Sequence, residues 1–187
     1  MPRIRSLRPN VTRDEALELI SSGLSGALRT AVVGPLRSIG DFHIPFRLFQ
    51  VEITNAGRSE SRILGIDVAA GLLDLYHFER VPNDTQVVSL DTRNCAPAAL
   101  DDARASELVV EKVRRMIFRQ GFFRMRDLKI NATVIPGDLH IPYWVGFHGN
   151  GERARVSVID AVRRRFEGAK VKRVLENWLM TPVSGGH

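Results

Sequence analysis

The heptapeptide Gly40-Asp41-Phe42-His43-Ile44-Pro45-Phe46 returns 97 residues later as Gly137-Asp138-Leu139-His140-Ile141-Pro142-Tyr143, with five identities, one apolar exchange and one aromatic exchange. Internal self-similarity constrains a fold more than any single motif, because equivalent segments are expected in equivalent places. The match extends further along the chain. Ile63–Val68 aligns with Val156–Ala161 at an offset of 93, which sets Asp67 on Asp160 and implies the loss of four residues from the intervening turn. The pattern predicts an α+β protein of two tandem repeats, each a helix followed by antiparallel strands. The first repeat covers 1–81, a linker 82–104, and the second repeat with a closing helix 105–187, packed separately or as one pseudo-twofold body.

Local signals supply the elements. Thr12 followed three residues later by Glu15 forms a capping-box signature, and Ala16, Leu19, Ile20 and Leu24 continue at helical spacing. Phe46–Ile53 and Arg62–Val68 are rich in strand formers and flank the turn residues Asn55-Ala56-Gly57-Arg58, which predicts a hairpin; Leu72–Phe78 reads as a third strand. Val109, Val113, Met116 and Ile117 give 106–117 a helical apolar stripe, Leu128–Ile135 reads as a strand, and Gln86–Leu90 as a strand within the linker. Val174, Leu175, Trp178 and Leu179 make the apolar face of the closing helix.

The opening Thr12-Arg13-Asp14-Glu15-Ala16, the hairpin, and Ile66-Asp67-Val68-Ala69-Ala70-Gly71 running into a third strand resemble the PepSY module. The resemblance covers 12–80 and, more loosely, 106–171. It implies a helix with an antiparallel sheet, an Asp-x-x-x-Gly turn before the last strand, and a role as an exported protein-interaction or inhibitory module. Physically, such an Asp accepts hydrogen bonds from the turn amides while the Gly takes a positive φ without steric cost. The second copy departs from the pattern, since Arg164 stands where Gly71 stands in the first, so its turn is expected to be built differently.

Composition narrows the class. With 44% hydrophobic and 26% charged residues, the 187-residue chain is neither a disordered tail nor a disulfide scaffold. Its net charge is +6 and its pI near 10.2. Residues 1–93 hold 11 Arg against 11 acids and residues 94–187 hold 16 Lys+Arg against 10 acids, so the excess belongs to the second half. One cysteine, Cys95, excludes an internal disulfide and a CxxC pattern. The N-terminus lacks the apolar core of a signal peptide and no run of 18 apolar residues occurs, which predicts a cytoplasmic chain unless it is cut from a longer exported protein.

Several residues carry candidate chemistry. His43 and His140 are the tempting catalytic pair, but a histidine repeated at equivalent places reads first as architecture, with Pro45 and Pro142 at strand starts. His140 and His148, with Asp138 or Asp160, could ligate a metal, yet no tight ligand spacing supports one. Cys95 has no basic neighbour closer than Arg93, and Gly149-Asn150-Gly151 resembles a hairpin turn and lacks the Lys of a phosphate loop. Asp67 and Asp160 each read as closing their own turn. The stronger signal is basic: Arg153, Arg155, Arg163, Arg164, Arg165, Lys170, Lys172 and Arg173, with Trp144 as an aromatic contact opposite in face to Tyr143. The chain therefore reads as a non-enzymatic protein-interaction or regulatory module needing no cofactor or metal, with another protein or a second copy of itself as partner. The alternative is nucleic-acid or anionic-ligand binding through the basic second repeat.

Overall fold

The computed structural model describes residues 1–22, 34–119, 127–149 and 155–180. In chain order these form β1 (Arg3–Leu7), α1 (Arg13–Ser21), β2 (Leu36–Asn55), β3 (Arg58–Asp67), β4 (Tyr76–Phe78), β5 (Val87–Asp91), α2 (Asp102–Arg119), β6 (Lys129–His148), β7 (Arg155–Asp160), β8 (Arg165–Phe166) and α3 (Ala169–Met180). All eight strands join one mixed sheet, in the order β4-β3-β2-β6-β1-β5, with β7 and β8 continuing from β6.

This overturns the expectation of two tandem helix-then-antiparallel-strand repeats. The two similar heptapeptides pair with each other along β2 and β6, with Ile44 opposite Ile141, Phe42 opposite Tyr143 and Phe46 opposite Leu139. Each 20-residue strand needs the other to satisfy one of its edges, so neither half has a sheet of its own. The chain also opens on a strand that precedes the first helix: β1 pairs antiparallel with β5 and touches β6 in parallel at Ser6 and His140. The 82–104 stretch contributes β5 and a parallel bridge from Cys95 to His43.

The prolines stand mid-strand, not at the strand starts expected for them. The outer edge of β2 is met by the Asn94–Ala96 backbone at His43 and by β3 from Phe46 onward, so Pro45 falls where the partner changes and its missing N–H leaves no ladder bond unmade. Pro142 occupies the same kind of gap on β6, between Ser6 opposite His140 and β7 from Tyr143 onward.

Alternation along β2 explains the core. Even-numbered Phe42, Ile44, Phe46 and Leu48 enter one cluster with Val171, Val174 and Leu175 of α3, while odd-numbered Phe49, Val51 and Ile53 enter another beneath Ala105, Val109 and Val113 of α2. A strand buried on both faces reads as a continuous apolar run, and each fully buried phenylalanine contributes about 1.5–3 kcal/mol. Ala16 and Ile20 of α1 pack separately with Val11 and Ile159. Thr12 and Glu15 complete the expected capping box. The β2–β3 hairpin turns on Ala56 (φ 51) and Gly57 (φ 73), both left-handed as a tight two-residue connection requires. Among the described residues no helix is long and apolar enough to cross a membrane.

Candidate functional site

β3 and β7 each end in a buried aspartate that caps the following turn. Asp67 Oδ1 accepts from the amides of Ala70 and Gly71, both at 2.8 Å, and its Oδ2 accepts from Leu73 at 2.7 Å. Asp160 Oδ1 accepts from Val162 and Arg163, both at 2.8 Å, but its Oδ2 has no hydrogen-bond partner among the described residues although the residue is only 1% exposed. Both turns close with the amide four residues on, Gly71 to Asp67 O at 3.1 Å and Arg164 to Asp160 O at 2.9 Å. The expectation that the second turn is built differently is thus corrected: Arg164 takes φ 54 where Gly71 takes φ 67. For a residue with a Cβ, that conformation costs about 1–2 kcal/mol.

Tyr76 of β4 stands beside the orphaned oxygen. Its ring packs against Phe46 and Phe78, with centroids 5.8 and 5.0 Å away, and the Arg163 guanidinium lies 3.3 Å from its own centroid. The Tyr76 hydroxyl lies close enough to the Asp160 carboxylate to interact with it, but the two are not aligned for a well-formed hydrogen bond, and neither the hydroxyl nor Asp160 Oδ2 has another partner among the described residues. Burial, reinforced by the Asp160 charge, drives the phenol well above its ordinary value. Burial likewise raises the Asp160 carboxyl, against its two turn amides and the charges of Arg163 and Arg165. Tyr76 and Asp160 line a pocket of about 40 Å³ with Arg163, Arg165 and Lys170 among its walls.

That pocket shares Asp74 and Lys170 with a larger cavity of about 430 Å³, which Lys112, Arg115 and Arg119 of α2 also line. Some of these charges are already paired: Lys170 with Asp74, Arg115 with Glu111, and Arg165 with Glu167 at 2.9 Å. Lys112 donates to the Leu73 carbonyl at 2.7 Å, and burial lowers its ammonium. The surroundings are nonetheless cationic. His77, which lines the same cavity, is held below its ordinary value first by burial and then by Arg62 and Arg163.

No family model, curated protein or solved structure matches the chain. The assignment of a site therefore stands on the geometry.

Of the residues picked out from sequence, Arg163, Arg165 and Lys170 come together at the small pocket. Arg164 turns instead to Glu15 at the start of α1, 3.3 Å away. Arg155 opens β7 opposite His148, Lys172 and Arg173 lie on α3, and Arg153 lies outside the described residues, as do Asn150 and Gly151 of the expected hairpin turn. Trp144 belongs to the α1 side of the sheet, where its indole donates to the Val11 carbonyl at 2.8 Å, while Tyr143 is buried on the α3 side. Sequence reasoning missed Tyr76, Lys112, Arg115 and Arg119. The last three recur at i, i+3 and i+7 on a helix, a spacing that places them along one face.

The β2–β6 pairing brings His43 and His140 close, one register position either side of Ile44 opposite Ile141, but their rings bond to different groups. His43 Nε2 donates to Asp41 Oδ2 at 3.2 Å, which leaves Nδ1 facing the Ser6 hydroxyl at 3.0 Å. That hydrogen bond outweighs partial burial and holds the Asp41 carboxyl at about 2. Serine, histidine and aspartate thus stand in sequence, but Ser6 is 0% exposed and its hydroxyl is out of reach of a substrate. His140 donates its Nδ1 proton to the Arg5 carbonyl at 3.2 Å, and burial lowers its imidazole. His148 faces the Gly34 carbonyl. Among the described residues no three His, Cys, Asp or Glu side chains are placed to hold a metal ion. The Cys95 thiol is half-buried and raised by burial.

Proposed function

We propose that this protein binds a phosphate-bearing anion in the groove between β4, the start of α3 and α2. The observation that carries the reading is the convergence of Lys112, Arg115 and Arg119 with Lys170 around one cavity of about 430 Å³ in which, among the described residues, Asp74 is the only acidic lining residue. That volume lies within the usual range for small-molecule sites, and the chemistry of ammonium and guanidinium groups suits phosphate oxygens. It favours the anionic-ligand reading over a protein-interaction module because the charges surround a concavity, where a flat protein partner makes little contact. It also relocates the basic surface: three of its cations come from α2, and only Lys170 belongs to the run picked out from sequence.

Titration calorimetry at low salt with inorganic pyrophosphate, and in parallel with a single-stranded oligonucleotide, tests the reading and separates a small ligand from a nucleic-acid backbone. Binding should weaken as salt rises, with a log–log slope of roughly −3 for an oligonucleotide whose phosphates meet about four cations. Lys112→Ala together with Arg119→Ala should reduce affinity about tenfold or more. No heat with either probe, or binding that ignores the double substitution, rejects the groove.

A further inference from the structure

We infer that the ligand of this groove carries a hydroxyl close to its phosphate, as a sugar phosphate or ribonucleotide does, and that Asp160 and Tyr76 recognise that hydroxyl; the inference rests on the anion-binding reading. The buried floor offers one acceptor and one donor. In its ionised form Asp160 Oδ2 accepts only, the neighbouring Tyr76 hydroxyl can donate, and beyond their imperfect approach to each other neither has a partner among the described residues. A buried polar atom left unpaired is costly enough that such atoms are rare without a reason. A ligand hydroxyl satisfies both at once, donating to Asp160 and accepting from Tyr76.

The turn at Asp67 shows that the unpaired oxygen is not a requirement of the backbone. The same i to i+4 closure occurs there with both carboxylate oxygens engaged, the second by the Leu73 amide. After Asp160 the chain enters β8 at Arg165 and sends no amide back to Oδ2. The pocket of about 40 Å³ over this floor has room for a hydroxymethyl-sized group, and it adjoins the cationic cavity, with which it shares Lys170 and Asp74 as wall residues. One ligand can therefore place its hydroxyl on the floor and its phosphate among the cations. Arg163, stacked on the Tyr76 ring, holds the phenol in place and adds a guanidinium to the pocket wall.

Calorimetry with ribose 5-phosphate and with inorganic pyrophosphate separates this inference from the reading beneath it. Asp160→Asn keeps an Oδ1 for the turn amides and replaces the free acceptor with a donor, while Tyr76→Phe keeps the ring packing and removes the donor. In wild type, ribose 5-phosphate should bind more tightly than pyrophosphate relative to either variant, and each substitution should lower the ratio of the two affinities about tenfold, the effect of losing one hydrogen bond involving a charged group. A ratio unchanged by both substitutions overturns the hydroxyl site and leaves water as the partner of the floor, with the groove intact. Failure of both probes to bind wild type overturns the groove as well. Circular dichroism and urea unfolding of each variant confirm that an altered ratio belongs to folded protein.

Discussion

At the end of β3, Asp67 engages three backbone amides with its two carboxylate oxygens; at the end of β7, Asp160 engages two amides with one oxygen and leaves the other buried and unpaired. The backbone closure is shared, down to a left-handed fourth residue. The surroundings differ. Gly71 is pressed against α2, where an added Cβ would come within 2.7 Å of Leu108 Cδ1, whereas Arg164 faces outward to Glu15. One turn is tied into the core by its position under a helix. The other is free to carry a strained, outward-facing arginine and an unsatisfied carboxylate on the buried floor of a pocket, the kind of local cost that persists where a fold supports a site.

Substitutions can break this contrast. The largest effect is expected from Asp67→Asn, which sets an amide donor against the buried Leu73 N–H and should destabilise by about 3 kcal/mol in urea unfolding. Gly71→Ala follows at about 2 kcal/mol, from positive φ and crowding against Leu108. Its counterpart, Arg164→Gly, should leave stability unchanged or raise it by up to about 1 kcal/mol, since relief of backbone strain competes with a looser unfolded chain and a lost surface ion pair. A loss at position 164 equal to that at 71 would mean that the two turns are equally structural.

Acid titration sharpens the same comparison with opposite signs. Asp41 is held at about 2 by His43, below its unfolded value, so its stabilisation is present above about pH 4 and disappears as pH falls toward 2. Its carboxylate is 43% exposed, and screening limits the benefit to about 1 kcal/mol, which Asp41→Asn should remove at pH 6 and not at pH 2. Asp160 is raised, so its fold prefers the protonated form: wild type should gain on Asp160→Asn as pH falls below the unfolded carboxylate value and lose that gain as pH rises through the folded one. At pH 7 the Asn variant should therefore be at least as stable as wild type, the smallest of these effects. A clear loss of stability at pH 7 would show Asp160 to be as structural as Asp67.

Legibility followed the range of the interactions. The capping box at Thr12 and Glu15, the Ala56-Gly57 hairpin and the apolar faces of α2 and α3 depend on neighbours a few residues apart, and local pattern revealed them. β1 was not visible, because Arg3–Leu7 becomes a strand only by lying between β5 and β6, whose paired residues are 80 or more positions away. The extent of β2 and β6 was hidden for a similar reason: prolines and charges break the local strand signal, and mutual pairing restores it. At the site, Arg163, Arg165 and Lys170 were visible as part of a basic run and Asp160 as a turn-closing acid, but Tyr76 looked like one more apolar position in a strand.

The similar heptapeptides, the acid-ended strands and the surplus of positive charge can be read from the chain alone, since these are matters of residue identity and spacing. The assembled fold alone settles that the heptapeptides pair with each other, that one of two like aspartates is left with an open oxygen, and that α2 brings its cations to the cavity beside that oxygen's pocket. A hydrogen bond left unmade is a property of every surrounding segment at once, and no local stretch of sequence encodes where the others will lie.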